Sequence, residues 1–97
     1  MTRGGYTYIL TNKPMGILYV GVTADLSARL EQHRLGLGSK FVKKWQLRRL
    51  VHVETHDTIE EAIAREKALK EWQRLWKLRM ISEANPNWDD LAESFVP

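Results

Sequence analysis

Two short segments near the start of the chain alternate as strands do. Tyr6-Thr7-Tyr8-Ile9-Leu10 and Ile17 to Val22 are rich in aromatic and branched residues, which suit a pleated, half-buried surface. Between them, Asn12-Lys13-Pro14-Met15-Gly16 supplies turn residues, so the pair is expected to form an antiparallel hairpin. Side chains alternate faces along a strand. Tyr6, Tyr8 and Leu10 therefore share one face of the first strand, and Ile17, Tyr19 and Gly21 one face of the second. Tyr8 and Tyr19 can both point to the same side.

The period then becomes helical. Thr23 or Asp25 is placed to cap a helix running to about Arg34, which Gly36 and Gly38 end. Leu26, Leu30 and Leu37 mark its buried side, and Arg29 and His33, at i and i+4, lie one above the other on one flank. The segment that follows is expected as a loop, and Leu47 to Val53 as a third strand. Thr58-Ile59-Glu60-Glu61 has the form of a capping box. The helical stretch it opens carries a stripe of Ala62, Glu66, Leu69, Trp72, Trp76 and Met80. The pattern fits one long helix or two with a break near Lys70 to Trp72. Asn85-Pro86-Asn87 ends it, because proline cannot continue the hydrogen-bond ladder. Trp88 and Leu91 are expected to fold back onto the core, and Trp72 and Trp76 to lie within it. The implied architecture is an α/β domain of the α+β type, a three-stranded sheet covered by helices.

Ninety-seven residues make one domain with a single modest core, spanning about residues 6–91. With no cysteine in the chain, disulfides, thiolate metal sites and cysteine nucleophiles are excluded. The N-terminus, Met1-Thr2-Arg3-Gly4-Gly5, lacks the apolar run of a signal peptide, and no stretch approaches membrane-spanning length. A cytoplasmic protein is expected, with no membrane partner. The net charge of +3 says little, but its distribution says more. No acidic residue lies between Glu31 and Glu54, whereas Arg34, Lys40, Lys43, Lys44, Arg48 and Arg49 all do, with Phe41 and Trp45 among them. Such a block suits a polyanion, since cations neutralise phosphates and an aromatic stacks on a base. It equally suits a solvated basic loop with two aromatics tucked into the core. The acidic C-terminus, Asp89, Asp90 and Glu93, is unsuited to nucleic acid.

Glu66 is the misfit of its stripe. A carboxylate on an apolar face must be paired, hydrogen-bonded or metal-bound. Taken alone, a salt bridge to Arg65, Lys70 or Arg29 at the rim of the core is the commoner outcome. Beside the other residues the balance changes. Phosphodiester hydrolysis needs phosphate charge stabilised, a water deprotonated and a leaving oxygen stabilised, usually by a divalent ion. Arg29 suits the first task, and Glu66, a hard oxygen ligand, suits the last. Tyr8, Tyr19 or His33 can handle the proton. A tyrosine, with an ordinary pKa of about 10, needs a cation or metal beside it to act as a base. Each residue alone has a plain structural explanation; the joint spacing is the signal.

That layout resembles the GIY-YIG nuclease superfamily, and in size and spacing its small free-standing bacterial members. The first family motif corresponds to Tyr6-Thr7-Tyr8, with Tyr8 as its tyrosine, and the second to Tyr19-Val20-Gly21. The similarity runs from Tyr6 to about Leu91. It implies a three-stranded antiparallel sheet flanked by helices and an endonuclease acting on DNA. Arg29 matches the arginine that contacts the scissile phosphate, His33 an active-site position one turn on, and Glu66 the single metal ligand. The implied cofactor is one divalent ion, magnesium with manganese as its substitute. Whether Tyr8 or Tyr19 activates the water stays open. The basic residues Arg34, Lys40, Lys43, Lys44, Arg48 and Arg49 would track the DNA backbone.

The chain also departs from the family. Tyr6 and Thr7 replace the glycine and isoleucine of the first motif. Phe41 stands where many relatives carry a tyrosine or histidine, so any auxiliary proton role there falls to Lys40 or is absent. Asn85 is favoured over Asn87 as the late asparagine, in a structural role. The implied partner is DNA with slight sequence specificity, branched or single-stranded, in repair, recombination or defence, with the protein a monomer or homodimer. Two rivals remain: a non-catalytic nucleic-acid-binding module that keeps the fold, and a protein-interaction domain using Trp72 and Trp76.

Overall fold

The computed structural model describes residues 4–95; the expectation about the N-terminal residues Met1 to Arg3 falls outside them. The sheet is built around its first strand. β1 (Gly5–Thr11) lies between β2 (Leu18–Thr23) and β3 (Arg49–His56), giving the order β2-β1-β3 with both pairings antiparallel. The helices are α1 (Leu26–Arg34), α2 (Lys40–Trp45), α3 (Ile59–Glu71) and α4 (Arg74–Ala84), followed by a single 3-10 turn at Ala92–Ser94. The fold is thus α+β, with the sheet antiparallel throughout. No helix among the described residues is long and apolar enough to cross a membrane.

The alternation of β1 divides the core in two. Tyr8 and Leu10 pack with Leu26, Val42, Leu47 and Leu50 on the side of α1 and α2. Ile9 packs with Val20, Val51, Leu69, Ile81 and Trp88 on the side of α3 and α4. A strand buried on both faces reads as a near-continuous apolar run, and residues 7–11 are all buried.

Local chemistry sets the helix ends. Asp25, not Thr23, caps α1, its side chain accepting from the Ala28 amide at 3.1 Å. α1 closes with Gly36 at φ +79 and bonds from Gly36 to the His33 carbonyl and from Leu37 to the Gln32 carbonyl, the Schellman arrangement. Leu37 therefore lies past the helix, and at 74% exposed it does not mark a buried side. The stretch expected as a loop contains α2. Ser39 caps it by accepting from the Val42 amide, and Gln46, at φ 53, ends it. Phe41 and Trp45, each 44% exposed, are not tucked into the core. β3 begins at Arg49 and reaches His56, two residues after the expected Leu47 and three beyond Val53.

Thr58 caps α3 as the sequence suggests, accepting from the Glu61 amide at 3.1 Å. The long helical stretch is two helices. Trp72 and Gln73 are extended, with ψ of 145 and 146. No glycine or proline marks the break; Trp72 packs against the Ile9 cluster with the Arg65 guanidinium over its ring at 5.0 Å. Two extended residues shift the helical phase, so Trp76 leaves the stripe and is 50% exposed rather than in the core. Trp88 and Leu91 do fold back. Asn85 fastens this return: its side-chain amide donates to the Val51 and Asp89 carbonyls and its carbonyl accepts from the Asp89 amide. The register of β1 against β3 slips between Ile9 and Leu10, leaving Val51 without a partner residue on β1. Asn85 thus serves a carbonyl that the bulge takes out of the ladder.

On the α3 side, Glu54 is the hub of a polar cluster. Arg65 donates to its two oxygens at 2.8 and 3.1 Å, and the His52 ring lies 2.8 Å away. Burial alone would raise the Glu54 pKa, but the hydrogen bonds from Arg65 and His52 outweigh it and hold the carboxyl below its ordinary value. A depressed carboxylate contributes stability above its unfolded pKa of about 4.3, lost as pH falls through the folded value. Glu54→Gln is expected to cost about 1–3 kcal/mol at pH 7 and to flatten the acid limb of stability against pH, as read by urea unfolding between pH 3 and 7.

Candidate active site

Of the five side chains singled out by spacing, Tyr8, Tyr19 and His33 pack together beside the β1–β2 hairpin, and the charges of Arg29 and Glu66 both act on Tyr8. Tyr8, in the central strand, is fully buried, and its hydroxyl lies 2.8 Å from Nε2 of His33 on α1. The register sets Tyr8 directly opposite Gly21. A Cβ on Gly21 would stand 2.5 Å from the Tyr8 hydroxyl oxygen, closer still to its ring, and 2.9 Å from the Tyr19 ring. The glycine is what lets the Tyr8 ring lie across the neighbouring strand, a close approach that glycine in a strand often marks. Gly38 does the same for the imidazole, since a Cβ there would be 2.7 Å from Nδ1 of His33.

The rings form a cluster. Tyr8 and Tyr19 have centroids 6.4 Å apart, Tyr8 and His33 5.8 Å, and Tyr19 and His33 5.6 Å edge-on. Burial pushes the Tyr8 pKa well above the ordinary tyrosine range; nearby Tyr19 adds to this, and the Arg29 guanidinium opposes it only in part. Tyr8 is therefore a phenol, not a phenolate. Burial lowers the His33 pKa, and Arg29 lowers it further, so the ring is a neutral imidazole at pH 7. Its Nδ1 is buried without a partner. Tyr19 is only partly buried and is the phenol closer to solvent.

Glu66 completes the group from α3. Its charge adds the smallest of the contributions that raise the Tyr8 pKa. The side chain is 15% exposed, and Oε2 lies 3.2 Å from the Lys70 ammonium one helical turn on. Of the three partners the sequence offered, Arg65 is taken by Glu54; Lys70 is the one Glu66 meets. Among the described residues no three His, Asp or Glu side chains gather to hold an ion. A single carboxylate nevertheless suits a magnesium ion that keeps water and phosphate oxygens in the rest of its shell.

The basic residues do not form one surface. Lys40, Lys43 and Lys44 are exposed on α2, Lys44 with its ammonium 5.1 Å from the centre of the Trp45 ring. Arg34 pairs with Glu31, and Arg48 donates to the Arg34 carbonyl at 2.8 Å. Arg49 is half-buried and donates to the Trp88 carbonyl at 3.0 Å, which ties it to the C-terminal return. Sequence reasoning offered Lys70 among the Glu66 partners, as found, but missed the wall formed by Gly38. The glycine between two valines at 20–22 was a readable sign of the close approach at Tyr8.

The model of the GIY-YIG catalytic domain matches residues 4–90. The chain belongs to the GIY-YIG family. It is also similar to the UPF0213 proteins of Staphylococcus aureus strains Mu3, Mu50 and N315. Each is 41% identical over 68 residues, covering 70% of this chain and 83% of the relative. No solved structure matches. The GIY-YIG domain marks the chain as a member of a nuclease family.

Two outcomes test this geometry. Gly21→Ala is expected to displace the Tyr8 ring and cost about 1–3 kcal/mol in urea unfolding, with a changed near-ultraviolet tyrosine signal. For His33, the folded pKa lies below the unfolded value of about 6.5, so its contribution to stability is present above that value and lost as pH falls through the folded one. NMR titration should find its midpoint below that of an unperturbed histidine, and His33→Gln should remove part of the loss of stability between pH 7 and 5.

Proposed function

We propose that this GIY-YIG chain is a metal-assisted endonuclease that hydrolyses DNA phosphodiester bonds. The observation that carries the reading is the packing of a neutral imidazole against two phenols beside the hairpin, with the charges of Arg29 and Glu66 acting on the inner phenol. In this reading Arg29 faces the scissile phosphate and stabilises the charge that builds on it. Glu66 would hold a divalent ion, magnesium or manganese, which when bound would supply Lewis-acid stabilisation of phosphate and leaving oxygens.

Proton handling divides between the two tyrosines. Tyr8 is buried, protonated and committed to His33, so its part is to orient the imidazole. Tyr19 is only partly buried and lies edge-on against His33, a neutral ring whose Nε2 already meets the Tyr8 hydroxyl. The partial exposure of Tyr19 supports it as the phenol nearest the attacking water. The three lysines of α2 would draw the DNA backbone toward the site, so binding weakens as salt rises. Exposed lysines suit phosphate contacts, which position a strand without reading its sequence, so slight sequence specificity is expected. A repair, recombination or defence role fits such an enzyme.

Supercoiled plasmid and single-stranded DNA, incubated with magnesium or manganese beside EDTA, give the test. Metal-dependent nicking is expected, reduced about 10²–10³-fold in Glu66→Ala and in Arg29→Ala, with DNA affinity kept in Glu66→Ala. Salt-sensitive binding with no cleavage by the unaltered protein on either DNA would instead favour a module that keeps the fold without the reaction.

A further inference from the structure

Phe41 is the outermost ring of a stack that begins inside the site. Tyr19 lies edge-on against His33, and Phe41 lies over Tyr19 at 6.3 Å with the planes only 26° apart. Tyr19 is partly buried, whereas Phe41 remains 44% exposed. One side of its ring is thus covered by Tyr19 while much of the rest meets water. Burying an apolar side chain is favourable, and Phe41 forgoes part of that gain. Its ring cannot act in proton transfer.

Its surroundings point to a polyanion carrying flat rings. Lys40 precedes it, Lys43 and Lys44 follow on the same short helix, and all three are exposed. Trp45, one turn on and therefore beside Phe41 on the helix surface, is also 44% exposed. No acidic residue lies between Glu31 and Glu54. An apolar protein partner would be met by cations around the ring, whereas a nucleotide brings phosphates for the lysines and a π-face for the phenyl ring.

We propose that Phe41 stacks on the base of a nucleotide flanking the scissile phosphate, extending the His33–Tyr19 row by one ring. The proposal rests on the DNA-cleaving reading of the site and adds a base subsite to it. The base must be unpaired or turned out of the helix, because bases within a duplex are covered on both faces by their neighbours. The subsite tolerates any base, since every base offers a π-face. Phe41 then sets how a strand lies across the site rather than which sequence is cut.

The test is a binding measurement in EDTA with Glu66→Ala protein, so that cleavage does not enter. The probe is a short single-stranded oligonucleotide with 2-aminopurine at its centre, whose fluorescence falls on stacking. Binding is expected to quench it. Phe41→Leu, which keeps an apolar side chain without a π-face, should lose most of the quench at saturation and weaken binding about five- to hundred-fold. Phe41→Trp should restore both, which a merely structural role under Tyr19 would not predict. An abasic site in place of the 2-aminopurine should weaken the Phe41 protein by a similar factor and Phe41→Leu little further. Equal quench and affinity in Phe41→Leu would overturn the proposal, as would equal losses from the abasic site in both proteins. If the unaltered protein quenches the probe but cuts no DNA, the nuclease reading falls and the base subsite stands. If it cuts DNA and Phe41→Leu keeps the quench, only the subsite falls.

Discussion

A phenol and an imidazole share one buried hydrogen bond, Tyr8 to His33, and the first half of the chain is arranged around it. Each partner needs a flat wall behind it, and each wall is a glycine: Gly21 across the hairpin and Gly38 beyond α1. The bond also couples the two ring systems electrically. Burial keeps Tyr8 protonated and His33 neutral, so the pair is a fixed dipole pair rather than an ion pair. An ion pair at that depth would carry a large desolvation cost. The neutral pair leaves Arg29 as the charge beside it, which in the proposed reaction would face the phosphate.

The strands, α1 and the cap of α3 were legible because each has its own local chemistry. Alternation placed Tyr8 and Tyr19 on one side, and Asp25 and Thr58 cap their helices by side-chain oxygens. α2 was not legible. It has six residues, and only Val42 is buried, so there is no period to read; its ends rest on a serine and a left-handed glutamine. The break after Glu71 was open for a similar reason. It depends on where Trp72 packs, which is a tertiary fact, and the phase shift it causes moves Trp76 to the surface.

The candidate site was legible as a set of residues and not as an arrangement. Spacing could say that Arg29 and His33 share a flank. It could not say that Tyr8 is sealed while Tyr19 is open, because both sit on strands with similar neighbours. That difference comes from position in the sheet, since β1 is central and β2 is at the edge. The acid-free block likewise fitted two pictures equally until Phe41 and Trp45 were found at the surface. The same block then divides: Arg49 is held by the C-terminal return, while the lysines of α2 stand exposed.

Two glutamates show how partners separate a structural carboxylate from a working one. Glu54 accepts a two-bond clasp from Arg65 and lies against two histidine rings. Its charge is answered on several sides by groups that are themselves held in place, so displacing them for a ligand would leave several buried groups unpaired. Glu66 meets Lys70, an ammonium half in water on a flexible stem. Such a partner answers the carboxylate in the free protein, and because its ammonium is half in water it can swing away without leaving a buried cation unpaired. Of the two, Glu66 is the carboxylate whose environment leaves it available to a cation, and it is also the one whose charge reaches Tyr8. Local pairing strength thus gives a reason, independent of spacing, for choosing Glu66 over Glu54 as the ligand of the proposed ion, while Glu54 straps α3 onto β3.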